Sequence, residues 1–69
     1  MKPVESVEEA QLLVDSFEGS PSDFRLQIPD RLNDSHGINI AIITDRILAR
    51  GWEPDGFVQE GDHRIYRYK

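Results

Sequence analysis

Apolar residues recur along this chain with two different periods, and the switches between them mark out the elements. Val7, Ala10, Leu13, Val14 and Phe17 fall three or four apart, on one face of a helix. Ser6-Val7-Glu8-Glu9 ahead of them is a capping box, in which the Ser6 hydroxyl takes the third helical N–H and Glu9 reaches back to the cap. Glu8 and Glu9 also suit the positive end of the helix dipole. Glu18-Gly19-Ser20-Pro21 then predicts a stop, with Gly19 as a left-handed cap, so the first helix is expected over about residues 7–18.

The period falls to two in Phe24-Arg25-Leu26-Gln27-Ile28, which predicts a half-buried strand ended by Pro29. Residues 29–37 read as a polar loop, the longest stretch without an apolar period and a place where function often sits. The helical period returns with Ile40, Ile43, Thr44, Ile47 and Leu48 on one face, while Asp45, Arg46, Ala49 and Arg50 turn outward. Asn39 is the expected cap and Gly51 the expected stop. Ile42 falls roughly opposite Ile40, on the outward side. A strand over residues 38–43 competes, because Ile is β-branched, but the continuation through Ile47 and Leu48 favours the helix.

After Gly51-Trp52-Glu53-Pro54-Asp55-Gly56, read as helix stop and turn, comes a β-hairpin. Phe57-Val58-Gln59-Glu60 and His63 to Tyr68 flank the two-residue turn Gly61-Asp62, pairing Glu60 with His63, Val58 with Ile65 and Phe57 with Tyr66. One hairpin face carries Phe57, Gln59, Arg64, Tyr66 and Tyr68, the other Val58, Glu60, His63, Ile65 and Arg67. Both are partly apolar, so either could pack on the helices.

The order α-β-α-β-β predicts an α+β domain built as a small two-layer α/β sandwich. A crossover makes the first two strands parallel, and the last strand can lie between them, antiparallel to both. The expected sheet is three-stranded and mixed, in the order 1-3-2, with both helices on one face.

Composition narrows the function. Sixty-nine residues make a single domain, residues 1–69, near the lower limit for one unstapled core. The chain has no cysteine, hence no disulfide framework and no thiolate metal site. Such a chain relies on its own packing or on burial against a second copy, which raises the expectation of a homodimer. No apolar run follows the first residues and none is long enough to span a bilayer, so no membrane role and a cytoplasmic location are expected. The net charge of −5 is uneven: residues 1–23 hold one basic and six acidic side chains, and the remainder is balanced. General attraction to nucleic acid is therefore disfavoured.

Candidate chemistry is sparse. Asp34, His36, Asp62 and His63 lack the spacing of a metal site, and no cofactor is expected. Ser35 and His36 are chain neighbours, which does not set a hydroxyl on an imidazole nitrogen, and no carboxylate lies in an apolar run, so an enzyme is not expected. His36-Gly37 before the second helix could attract a phosphate, with Arg31 assisting, on a weak signal. Arg64, Tyr66, Arg67, Tyr68 and Lys69 interleave charge with rings that could stack on bases. Helix, Gly51 and hairpin together resemble the second helix and wing of a winged-helix domain, although one helix alone precedes them and Asp45, Glu60 and Asp62 would meet phosphate. Trp52 suits a plug at the core edge or, more sharply, an interface anchor.

The expected function is a small non-catalytic protein-interaction or accessory module that self-associates or binds a protein partner. The candidate contact residues are Ile42, Arg46, Trp52, Phe57, Arg64, Tyr66, Arg67 and Tyr68. The alternative is a nucleic-acid-binding domain that uses the basic and aromatic hairpin.

Overall fold

The computed structural model describes residues 2–69. The chain runs through α1 (Val7–Ser16), a 3-10 turn at Pro21–Asp23, β1 (Arg25–Pro29), a second 3-10 turn at Asp30–Leu32, α2 (Ile38–Ala49), β2 (Pro54–Glu60) and β3 (His63–Tyr68). The sheet order is β1-β3-β2, with β3 antiparallel to both neighbours. The order 1-3-2 is the expected one, but the sheet is antiparallel rather than mixed, because β1 and β2 point the same way without pairing and every ladder runs through β3. Ala10 and Val14 of α1, Ile43 and Ile47 of α2 and Leu26 and Ile28 of β1 share one core, which sets both helices on the same side of the sheet.

α1 begins with the Ser6 half of the expected capping box, while Glu9 reaches past the cap. Ser6 Oγ accepts from the Glu9 N–H at 3.1 Å, and Glu9 Oε2 accepts from the Glu5 N–H, one residue before the cap. Its end departs from expectation. The helix closes at Ser16, Phe17 turns into extended backbone, and Gly19 is not the cap. The reason lies far along the chain: Arg50 Nη1 donates to the Val14 and Phe17 carbonyls at 2.6 and 2.8 Å, satisfying the helix end from outside. Leu13, expected in the core, lies exposed, because a ten-residue helix on a three-stranded sheet buries only the stripe of Ala10 and Val14.

α2 is a helix throughout, which settles the competing strand reading of residues 38–43. Its N-cap is Gly37, and Asn39 lies inside the first turn. Asn39 Nδ2 donates to the Leu32 carbonyl at 2.8 Å, while Asp34 Oδ1 accepts from the Asn39 N–H at 3.4 Å. Asn39 therefore ties the helix to the preceding segment, and Asp34 supplies the capping oxygen. At the other end the Gly51 N–H reaches the Leu48 carbonyl and the Trp52 N–H the Ile47 carbonyl, the Schellman pattern. Ile43 and Ile47 are buried and Ile42 faces out, as expected; Leu48, expected inside, is 52% exposed on the flank of the buried stripe.

That cap drops Trp52 into an aromatic cluster at one end of the core. Its ring meets Phe24 at 5.4 Å and Phe17 edge-on at 5.9 Å, and Phe24 in turn meets Tyr68 at 5.8 Å. The Arg50 guanidinium lies 4.4 Å over the Trp52 ring. Burial pushes the Tyr68 phenol above its ordinary range, with Tyr66 adding to the shift.

Candidate interaction surface on the hairpin

Gly61-Asp62 sets the hairpin. Gly61 takes a positive φ of 61° and Asp62 does not, the glycine-first pattern of a type II′ turn. The register is the expected one, with Glu60 opposite His63, Val58 opposite Ile65 and Phe57 opposite Tyr66. β2 starts earlier than read from the sequence, at Pro54, which an edge strand tolerates at its first position. A bulge between Pro54 and Phe57 absorbs the extra residue, and Gly56, at φ 82°, supplies the positive φ there.

The ladder with β1 decides which face is covered. Leu26 lies opposite Tyr66 and Ile28 opposite Arg64, so Phe57, Gln59, Arg64, Tyr66 and Tyr68 share the helix side. Val58, Glu60, His63, Ile65 and Arg67 occupy the other face with Arg25 and Gln27. The helices cover the first face only in part. Tyr68 is in the core and Tyr66 packs against it, whereas every residue of β2 is exposed, Phe57 at 45% and Val58 at 48%.

Arg64 is held within this surface. Its guanidinium lies 4.5 Å over the Phe57 ring, which itself meets Tyr66 at 5.1 Å. Arg64 donates to Gln59 Oε1 at 3.3 Å and to the Tyr66 hydroxyl at 3.1 Å. With the Asn33 amide turned oxygen-first, it also receives Arg64 Nη2 and Nη1 at 3.2 and 3.3 Å. Gln59 Nε2 donates to both Asp30 carboxylate oxygens at 3.2 Å. The segment read as a polar loop is thus fastened to the hairpin, further secured by the Asp30 N–H on the Asp62 carbonyl at 2.8 Å.

The eight candidate contact residues therefore separate. Trp52 and Tyr68, at 6% and 4% exposure, are core side chains rather than surface anchors. Arg46 is paired with Asp15 at 2.7 Å and joins α2 to α1. Arg64 and Tyr66 are bonded within the hairpin. Ile42 faces out on α2, away from the buried stripe. Phe57 and Arg67 remain open on β2 and β3. The strand alternation also separates Arg64 from Arg67, so charge and rings do not form the continuous stripe that base stacking would use.

One further open residue, Val58, is not among the eight. Val58 occupies the uncovered face beside Ile65, and only the length of β2 beyond any covering element reveals it. Elsewhere, the N-terminus of α2 already holds the Asp34 carboxylate, and among the described residues no three His, Asp or Glu side chains gather as a metal ion would need. Among them also, no helix is long and apolar enough to cross a membrane. Comparison with protein-family models, with curated proteins and with solved structures finds no match to this chain.

Proposed function

We propose that this chain is a small non-catalytic protein-interaction module whose working surface is the β2–β3 hairpin. The observation that carries the reading is β2 itself: seven residues exposed along their whole length, with Phe57 and Val58 half-open on opposite faces. A strand with apolar side chains on both faces and an unpaired edge favours association with further polypeptide. Nucleic acid fits less well, because Arg64 spends its donors on Gln59, Tyr66 and Asn33, and the chain carries a net charge of −5. A cytoplasmic location belongs to the same proposal, since a chain without cysteine needs no oxidising compartment.

The test is fluorescence anisotropy with a labelled mixed-sequence oligonucleotide at physiological salt. The reading expects no binding. Micromolar, salt-dependent affinity that falls in Arg67→Ala and Lys69→Ala would overturn it in favour of a nucleic-acid-binding hairpin.

A further inference from the structure

We propose that the open edge of β2 pairs antiparallel with β2 of a second copy of this chain, about a two-fold axis at Val58. Two three-stranded sheets then join into one sheet of six strands. The inference deepens the interaction-module reading, on which it rests, by naming the partner and the register.

The hairpin dictates which main-chain groups are available. A two-residue turn closes on a pair that exchanges both hydrogen bonds, here Glu60 and His63, so Val58 and Ile65 form the next such pair. Phe57 and Gln59 then turn their N–H and C=O groups away from β3, toward the open edge. The same parity is visible at the far edge of the sheet. There the outward carbonyl of Gln27 receives the Val4 N–H at 2.9 Å, and the N-terminal segment covers β1. Among the described residues nothing covers β2 in this way.

The register follows from what the edge allows. Pro54 and the bulge at Asp55 and Gly56 blunt the start of β2, so the outward main-chain groups of its regular part are those of Phe57 and Gln59, centred on Val58. A two-fold through that centre sets Val58 against Val58, and Phe57 against Gln59 of the second copy, so that the four outward donors and four outward acceptors meet each other. An axis at Phe57 would instead draw Asp55, within the bulge, into the ladder. Pairing about an axis is closed and isologous, so it ends at a dimer.

Charge supports the same register. Glu60 of the second copy falls opposite Gly56 on the uncovered face. Arg67 Nη2 lies 3.5 Å from the position a Gly56 Cβ would take, so the guanidinium extends across β2 at that point. Each Glu60 carboxylate meets an Arg67 of the other chain, twice in the dimer. Among the described residues neither side chain makes an ion pair within its own chain. Arg67 also stands opposite Arg25 in the sheet, a like-charge neighbour that an incoming carboxylate offsets.

The absence of native cysteine makes a single-cysteine test clean. Val58→Cys places two thiols across the axis at a non-hydrogen-bonded site, where Cα atoms approach to about 4.5 Å, within disulfide reach. Glu60→Cys separates them by several residues along the strands. With oxidised glutathione as oxidant, Val58→Cys is expected to form a covalent dimer about tenfold faster or more than Glu60→Cys. Glu60→Arg and Arg67→Glu are each expected to weaken self-association of the otherwise native chain about tenfold, and together to restore it. Equal cross-linking rates, or a double variant no better than either single one, would overturn the register. A wild-type chain that stays monomeric and also ignores the oligonucleotide overturns this inference alone. Oligonucleotide binding overturns the reading beneath it.

Discussion

Arg25 and Arg67 stand directly opposite one another on the face of the sheet away from α1 and α2. Like charges at such a position destabilise a ladder, and the structure relieves the pair by drawing them apart. Arg25 Nη1 turns back to the Ser22 and Phe24 carbonyls at 2.7 and 3.0 Å, while Arg67 reaches across Gly56 toward the edge of β2. Arg67→Glu should therefore leave the isolated fold intact or raise its stability by about 0.2–1 kcal/mol in a denaturant titration at low protein concentration. A loss of self-association in that variant is then a loss of contact and not of folding.

Ile47 is fully buried and Ile42 is 40% exposed on the same helix. Ile47→Ala should cost about 2–5 kcal/mol, as a large-to-small change in a packed core does. Ile42→Ala should cost under about 1 kcal/mol. Urea titrations of the two variants check the assignment, and equal losses would contradict it.

Asn39 offers a sharper distinction. If it capped α2, Asp would serve about as well in its place. Because it donates through Nδ2 to the Leu32 carbonyl, Asn39→Asp should destabilise by about 1 kcal/mol, close to the cost of Asn39→Ala. Thermal unfolding of both variants reads the difference.

Tyr68 gives the fold an alkaline limit. Burial raises its folded-state pKa above the unfolded value of about 10. The stability linked to this phenol is thus fully present below about pH 10 and is lost as the pH rises toward the folded-state pKa, because the unfolded chain ionises first. Tyr68→Phe should remove that part of the alkaline loss, which denaturant titrations at rising pH would measure.

The parts of the fold that depend on neighbouring residues could be read from the sequence, and those that depend on distant partners could not. Gly61-Asp62 between alternating strands was enough for the hairpin register, and the spacing of Ile43 and Ile47 was enough for α2 and its buried stripe. The end of α1 was not legible, since Arg50 from α2 satisfies its last carbonyls. The role of Asn39 depends on the Leu32 carbonyl. The face of the hairpin that packs inward depends on Leu26 meeting Tyr66 across β3, and both faces carry apolar residues. For the candidate surface, alternation sorted Phe57 and Arg67 onto opposite faces without saying which face is open, and Phe57 is open because the helices leave β2 exposed on their own side as well. A core-edge plug was one of the two readings Trp52 offered, whereas the burial of Tyr68 was not legible, because it comes from Phe24, just ahead of β1, and the cluster that Phe24 forms with Phe17 and Trp52. Pro54-Asp55-Gly56 looked like a turn, and only pairing with β3 makes it the bulged start of an edge strand.

Amide hydrogen exchange at β2, followed residue by residue across a range of protein concentration, distinguishes a paired edge from an open one. The Val58 and Glu60 N–H groups bond to β3 within one chain, whereas those of Phe57 and Gln59 face the open edge. Protection at Phe57 and Gln59 is expected to rise together with concentration, while Val58 and Glu60 are protected throughout. Fast exchange at Phe57 and Gln59 at every concentration up to about 1 mM would contradict edge pairing with a dissociation constant below that concentration.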